Sequence, residues 1–433
     1  MPLNQEDQAI TAALLALHSQ RFRDLTVKVE LEFVLVASYD ELAERYPGAN
    51  HHFDALRTVL REIADKVQIY TPTLEQDMFA IPDDGKLWEE EDWDLSVGLD
   101  YEEQQLIPDK FDSDVKNKVI AFSVEVRSRV MDLCDPDWKE EVKTVIDKIT
   151  EHFDGHTSDD PFRLLINTWR SGMRVHIGKG PMSSQYFTHR TVQNFTKFVT
   201  AFERFIDEAH TVSRISEKTA LEVGPTVALQ RCFFNEELPA SQWVAGSSNS
   251  WIFLFTILSK IDKRRAKEPE DINDYFSAFQ SPGSAYGLSG PQTPMTRSEV
   301  LQTIKFRQHR GTLDVAEIVA WVHVAALIVD YCQCATYEEL DNFMNPHVFK
   351  RHYSFTDLLK DICADEVLID YYKMKLAPGR AQEERDWAIE REQSCRFGEL
   401  VSAVEHEQEL SSKLSEDQRL LISDTTQETY VPQ

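Results

Sequence analysis

Four short segments, far apart in the chain, carry ionisable side chains two residues apart: Glu30 with Glu32, Glu125 with Arg127, Arg174 with His176, and Lys305 with Arg307. A spacing of two puts both members of each pair on one face of a β-strand. If the four strands share one antiparallel sheet, that face gathers three carboxylates, one imidazole and four cations. Carboxylate oxygens and an imidazole hold a divalent ion, and guanidinium and ammonium groups take the phosphate oxygens that such an ion bridges. A half-solvated antiparallel sheet shows the same alternation, with cross-strand Glu/Arg pairs as ordinary stabilisation. An E-x-E on a strand is common by chance, and a single histidine is more often a satisfied structural residue than a ligand. The pattern alone leaves both readings open.

The elements that must position these groups follow from periodicity. Val27, Val29, Leu31, Phe33 and Leu35 alternate with Lys28, Glu30, Glu32, Val34 and Val36, which predicts the first strand. Residues 121–127, 174–177 and 303–309 predict three more. Ile10, Leu14, Leu15 and Leu17 mark a short N-terminal helix, and residues 55–67 and 138–153 read as further helices. Over 191–210, Val192, Phe195, Phe198, Val199, Phe202, Phe205 and Ile206 form the apolar stripe of a helix that faces the core. Residues 280–296 hold three prolines, three glycines and three serines, which predicts a long loop of the kind that serves as a lid or an insertion. Asp314 with Glu317 has the spacing of a capping box opening a helix over 315–332. The fold class expected is α+β, a largely antiparallel sheet with helices on one face and a funnel-like site on the other. The division expected is 1–335 as the domain that carries the site and 336–433 as a helical C-terminal region with a frayed acidic tail.

Composition narrows the function. With 42% hydrophobic and 28% charged residues the chain supplies a core and is not disordered as a whole. Its net charge of -28 disfavours a nucleic-acid partner. That charge is uneven: residues 75–114 hold 15 acidic and 2 basic side chains, and residues 380–433 hold 13 and 6. Both segments read first as solvated surface. The start MPLNQEDQ lacks the basic and apolar regions of a secretory signal, and the apolar runs 251–258 and 319–331 are too short to span a bilayer. The expectation is a cytoplasmic protein with no membrane partner and with its six scattered cysteines reduced. A hydrolase is unsupported, because there is no G-x-S-x-G, and Cys332 and Cys334 sit inside a predicted helix. Gly283 to Gly290 neither follows a strand nor opens a helix, so no dinucleotide fingerprint exists there. His51 and His52 read as loop residues, and His189 and His210 as flanks of the aromatic helix. The apolar residues of 382–421 are sparse, which predicts docking on the body or on a second copy, as a homodimer.

Taken in order, Val29-Glu30-Leu31-Glu32-Phe33, Val124-Glu125-Val126-Arg127-Ser128, Gly172-Met173-Arg174-Val175-His176-Ile177-Gly178, the helix leading to His210 and Arg214, and Ile304-Lys305-Phe306-Arg307-Gln308-His309-Arg310-Gly311-Thr312-Leu313-Asp314 followed by Trp321 resemble the amidoligase family. That family is a branch of the carboxylate-amine ligases that share the glutamine synthetase and glutamate-cysteine ligase fold. The resemblance covers about residues 25–335. It implies ATP- and magnesium-dependent joining of a small-molecule carboxylate to an amine through an acyl phosphate. Carried over by position, Glu30, Glu32, Glu125 and His176 are the implied metal ligands. Arg307, Lys305 and Arg174 are the implied catalytic groups. Arg307, Arg214 and Arg127 are implied to bind ATP, and Asp100, Arg214 and His309 to bind substrate.

Two positions depart from the family pattern. It reads G-x-H-x-H where this chain has Arg174 before His176, and E-F-R where this chain has Lys305-Phe306-Arg307. Each change adds positive charge to a site that must attract cations. At about 4 Å and an effective dielectric near 20, like charges repel by about 4 kcal/mol per pair. Fewer metal sites than the family pattern are therefore expected. An alternative is that ligation is lost and the cationic face binds or transforms an anionic small molecule, or that the chain is a non-catalytic interaction protein.

Overall fold

A computed structural model describes residues 5–17, 20–46, 56, 58–61, 93–97, 119–153, 162–165, 171–180, 186–210, 258, 261, 285–289, 303–348 and 353–376. In chain order these give α1 (Gln5–Ala16), a 3₁₀ turn (Gln20–Phe22), β1 (Leu25–Ser38), α2 (Tyr39–Arg45), β2 (Asp94–Val97), β3 (Val119–Arg127), β4 (Met131–Asp132), α3 (Asp137–Phe153), β5 (Arg163–Leu165) and β6 (Gly172–Lys179). There follow α4 (His189–Ala201), α5 (Glu203–Asp207), β7 (Tyr286–Ser289), β8 (Thr303–Arg310), α6 (Val315–Cys334), α7 (Tyr337–His347), α8 (Phe355–Asp361) and α9 (Glu366–Lys375).

The described strands form one open sheet in the order β2-β3-β1-β6-β8-β7, every pairing antiparallel, with β4 and β5 also pairing with β1. The architecture is α+β. β1 is the central strand, and all of its residues are buried except Glu32 and Ser38, which are half-buried. Its even-numbered side chains from Lys28 to Glu32 share one face. Val27, Val29, Leu31, Phe33 and Leu35 go to the other and join a single buried cluster with the helices. Phe195 of α4 and Trp321 of α6 meet Phe306 of β8 there, at ring separations of 5.6 Å and 6.2 Å.

α6 is the core helix, apolar all round because other elements surround it. The apolar run 319–331 extends in both directions. Its 20 residues are long and apolar enough to cross a membrane, yet 89% of the apolar window is buried inside the protein. Asp314 caps it by accepting from the Ala316 N–H at 2.9 Å. The second half of the expected capping box is not made, because the Glu317 carboxylate instead accepts from Arg310 and Thr312, at 2.8 and 2.9 Å, and from Lys375. At the far end of α6, the Asn194 amide donates to the carbonyls of Cys332 and Ala335, at 3.0 and 2.8 Å, which ties α4 to that terminus.

Two further expectations are corrected. The helix read over 191–210 starts at His189, capped by Thr188, and breaks at Phe202, whose ψ of 11° leaves helical geometry before α5 resumes. The segment read as loop over 280–296 contains β7, which pairs with β8 at the sheet edge. Its own Gly287 and the prolines and glycines around it suit a loop, and hydrogen bonds to β8 override that local signal.

Candidate functional site

The register sets out the polar face in rows. Lys28 of β1, His176 of β6 and Lys305 of β8 stand side by side, with Gly287 of β7 beyond them. Arg127, Glu30 and Arg174 form the next row. Glu125 and Glu32 form the third, with Ser96 of β2 beside Glu125. The four pairs picked out by spacing thus meet on one face of one sheet. Lys28, which the spacing also placed there, is 1% exposed and belongs to the same constellation. The Lys28-Glu30-Glu32 alternation makes its face legible, although one more cation beside a glutamate looks like surface.

Arg174 is the hub. Its guanidinium ion-pairs with Glu32, and lies 3.7 Å from Glu30 and 3.8 Å from Glu125. His176 Nε2 stands 3.0 Å from the second oxygen of Glu30. The other oxygen of Glu32 accepts from the Gly172 N–H at 2.9 Å, so a backbone amide at the start of β6 holds that carboxylate in place. The ion pairs are formed across three strands, β1, β3 and β6.

Electrostatics divides the carboxylates. Burial would raise Glu30, but His176, Lys305 and Arg174 outweigh it and hold this carboxyl well below the usual carboxylate range. Burial and then Glu30 push the Glu125 carboxyl up to about 7, against the opposing pull of Arg174. Burial brings the His176 imidazole down to about 4 despite Glu30, with Lys305 and Lys28 adding to the fall, so it is neutral at pH 7. Lys305 therefore acts electrostatically on both Glu30 and His176.

Arg307 shares this face. A Cβ placed on Gly287 would stand 3.1 Å from Lys305 Cβ and 3.2 Å from an Arg307 guanidinium nitrogen. Both cationic side chains cross over Gly287, where the lack of a side chain leaves room for them. His309 is elsewhere. A register shift in the β6–β8 pairing falls between Met173 and Val175, and His309 comes to lie opposite Met173, on the helical side of the sheet. There it bonds the Arg310 carbonyl at 2.8 Å, approaches Glu317 to 3.4 Å and packs on Trp321 and His210. His309 is thus not brought to the face that carries the other candidates. Asp100, Arg214, His51 and His52 lie outside the described residues.

The implied magnesium fits this donor set in kind and not in placement. Three carboxylates and an imidazole are hard-cation ligands, but the guanidinium of Arg174 stands among the carboxylates. Among the described residues, no group of three or more His, Cys, Asp or Glu comes together as metal ligands. No protein-family model matches this chain, and no curated protein matches it in sequence.

Proposed function

We propose that the polar face of the sheet is the site of an ATP-dependent carboxylate-amine ligase, glutamine synthetase-like in arrangement, that works on small molecules in the cytoplasm. The observation that carries the reading is the meeting of Glu30, Glu32, Glu125, Arg127, Arg174, His176, Lys305 and Arg307 on one buried-to-half-buried face. The resemblance to the amidoligase family in the motifs that supply these residues adds to it. In this reaction a carboxylate oxygen of the acid attacks the terminal phosphorus of ATP, and the bond from that phosphorus to ADP breaks. The amine nitrogen then attacks the carbonyl carbon of the acyl phosphate. Phosphate leaves, and the nitrogen loses a proton. Lys305 and Arg307 would neutralise the charge on the transferring phosphoryl group, and Arg127 would hold a second anionic group. Magnesium enters as part of the MgATP substrate.

A second reading is favoured by one observation, the ion pairing of Arg174 with the carboxylates. In it, ATP chemistry is gone and the cationic row binds an anionic small molecule. The test is phosphate release from MgATP in the presence of paired panels of small acids and amines. The ligase reading expects release that needs both an acid and an amine and falls at least 100-fold in Arg307→Ala. Calorimetry with MgATP that shows no heat, with no phosphate release from any pair, would overturn it, and heat from ATP-free polycarboxylates would then support the second reading.

A further inference from the structure

We propose that the guanidinium of Arg174 is the resident cation of the carboxylate cluster, so that the protein free of nucleotide takes no divalent ion there, and that removing this side chain turns the cluster into a metal site. The inference rests on the polar face being the site. It does not depend on which reaction occurs there.

Arg174 reaches carboxylates from two different strands other than its own, Glu30 and Glu32 of β1 and Glu125 of β3. One guanidinium nitrogen serves Glu32 while the other faces Glu30 and Glu125, a forked geometry that an ammonium group could not span. The slip in the β6–β8 register sets two residues of β8, Arg307 and Gln308, opposite Arg174, so the bulge lies in β8 and Arg174 keeps its regular place opposite Glu30. The guanidinium also covers the cluster from the solvent side, since the Arg174 side chain is 27% exposed against 5% for Glu30 and 15% for Glu32. Any divalent ion entering between these carboxylates would meet a fixed positive charge paired with Glu32 and 3.7–3.8 Å from Glu30 and Glu125. Lys305 and Arg127, on the same face, raise the barrier further. Without Arg174, the three carboxylates that face its guanidinium would lack their shared partner and be free to close on a hard divalent cation, which takes oxygen ligands of that kind.

The experiment titrates Mn2+ into the full-length protein without nucleotide, acid or amine, and reads free Mn2+ by electron paramagnetic resonance. Wild type should leave the free-ion signal undiminished. Arg174→Ala should withdraw about one equivalent, and Glu32→Gln in that background should return it to solution. Arg174→Met keeps the bulk of the side chain and gives the same readout should the alanine variant fail to fold, while Arg174→Lys, which keeps the charge, should withdraw little. Stoichiometric Mn2+ uptake by wild type that Glu32→Gln abolishes would overturn the inference and leave the ligase reading standing. Folded Arg174→Ala and Arg174→Met proteins that take up no Mn2+ would overturn it as well. A protein that never turns over ATP yet shows the expected Mn2+ pattern would sink the ligase reading alone.

Discussion

A methyl group added at Gly311 would lie 2.6 Å from the Ser171 Cβ and 3.1 Å from the Glu32 carbonyl oxygen. Gly311 also donates its N–H to the Ser171 carbonyl at 2.8 Å, and the neighbouring Gly172 holds Glu32. Three segments that bear on the site therefore close up at a point that tolerates no side chain. Gly311→Ala should cost about 1–3 kcal/mol, the usual penalty for forcing an extra carbon into a filled space. Urea denaturation would measure it, and adding Ser171→Gly should recover at least half, because that change removes the nearest obstacle. A Gly311→Ala protein as stable as wild type would show that the strands can part at no cost. At this scale the sequence was informative about which side chains share a face, because strand alternation is a rigid two-residue repeat. It was silent about Gly311 and about Arg174 as a hub, because both depend on distances between segments far apart in the chain. It also misplaced His309, since a register slip moves a side chain across a sheet without leaving any trace in the spacing.

At the scale of elements, α6 is the piece on which the rest is assembled, and it carries a histidine where an apolar residue would be expected. His323 is 3% exposed, packed between the rings of Phe22 and Trp138 at 5.9 and 6.0 Å. Burial, with Lys139 adding to it, brings its imidazole down to about 3. An unfolded chain protonates the same group near pH 6.5. Between those values the unfolded state binds the extra proton, so the stability this site contributes is fully present above pH 6.5 and is lost as the pH falls. His323→Phe removes that dependence while keeping a flat ring in the slot. Relative to the variant, wild type should lose about 2 kcal/mol between pH 7.5 and pH 5 in urea denaturation, at about 1.4 kcal/mol per pH unit. A difference that does not change with pH would mean that water or an alternative partner reaches the ring. The helices and strands themselves were largely legible, α6 and the four site strands above all, because their hydrophobic periods are long or strict. The break at Phe202 was not, since no proline or glycine marks it, and β7 was hidden by a composition that suits loops.

For the molecule as a whole, the net charge of -28 coexists with a site face on which Lys28, Arg127, Arg174, Lys305 and Arg307 outnumber Glu30, Glu32 and Glu125. Total charge therefore argues against polyanionic partners and says nothing against a small anion in the site. The division drawn from the sequence, with a boundary near 335, followed the end of the motif-bearing segment. The packing runs across that boundary. Leu340, Met344, Phe355, Leu358 and Tyr372 belong to the same buried cluster as Leu14, Val29 and Trp321. α9 packs against α1, at the other end of the described chain. Lys375 also ion-pairs with Glu317, which is 3% exposed and whose carboxyl Arg310 and Lys375 hold well below its usual range against the opposing effect of burial. Cutting the chain after Ala335 would strip apolar cover from α4 and α6 and leave buried Glu317 with fewer cations, a loss that commonly costs about 3–5 kcal/mol by itself. Against a typical total stability of about 5–15 kcal/mol, that loss together with the lost apolar burial is enough to unfold the remainder. The truncated chain should show no cooperative thermal transition by circular dichroism and should bind a hydrophobic dye, while the full chain melts α7–α9 together with the sheet. A truncated chain with a sharp transition within a few degrees of the full chain would instead establish residues 1–335 as a unit that folds alone, with α7–α9 only resting on it.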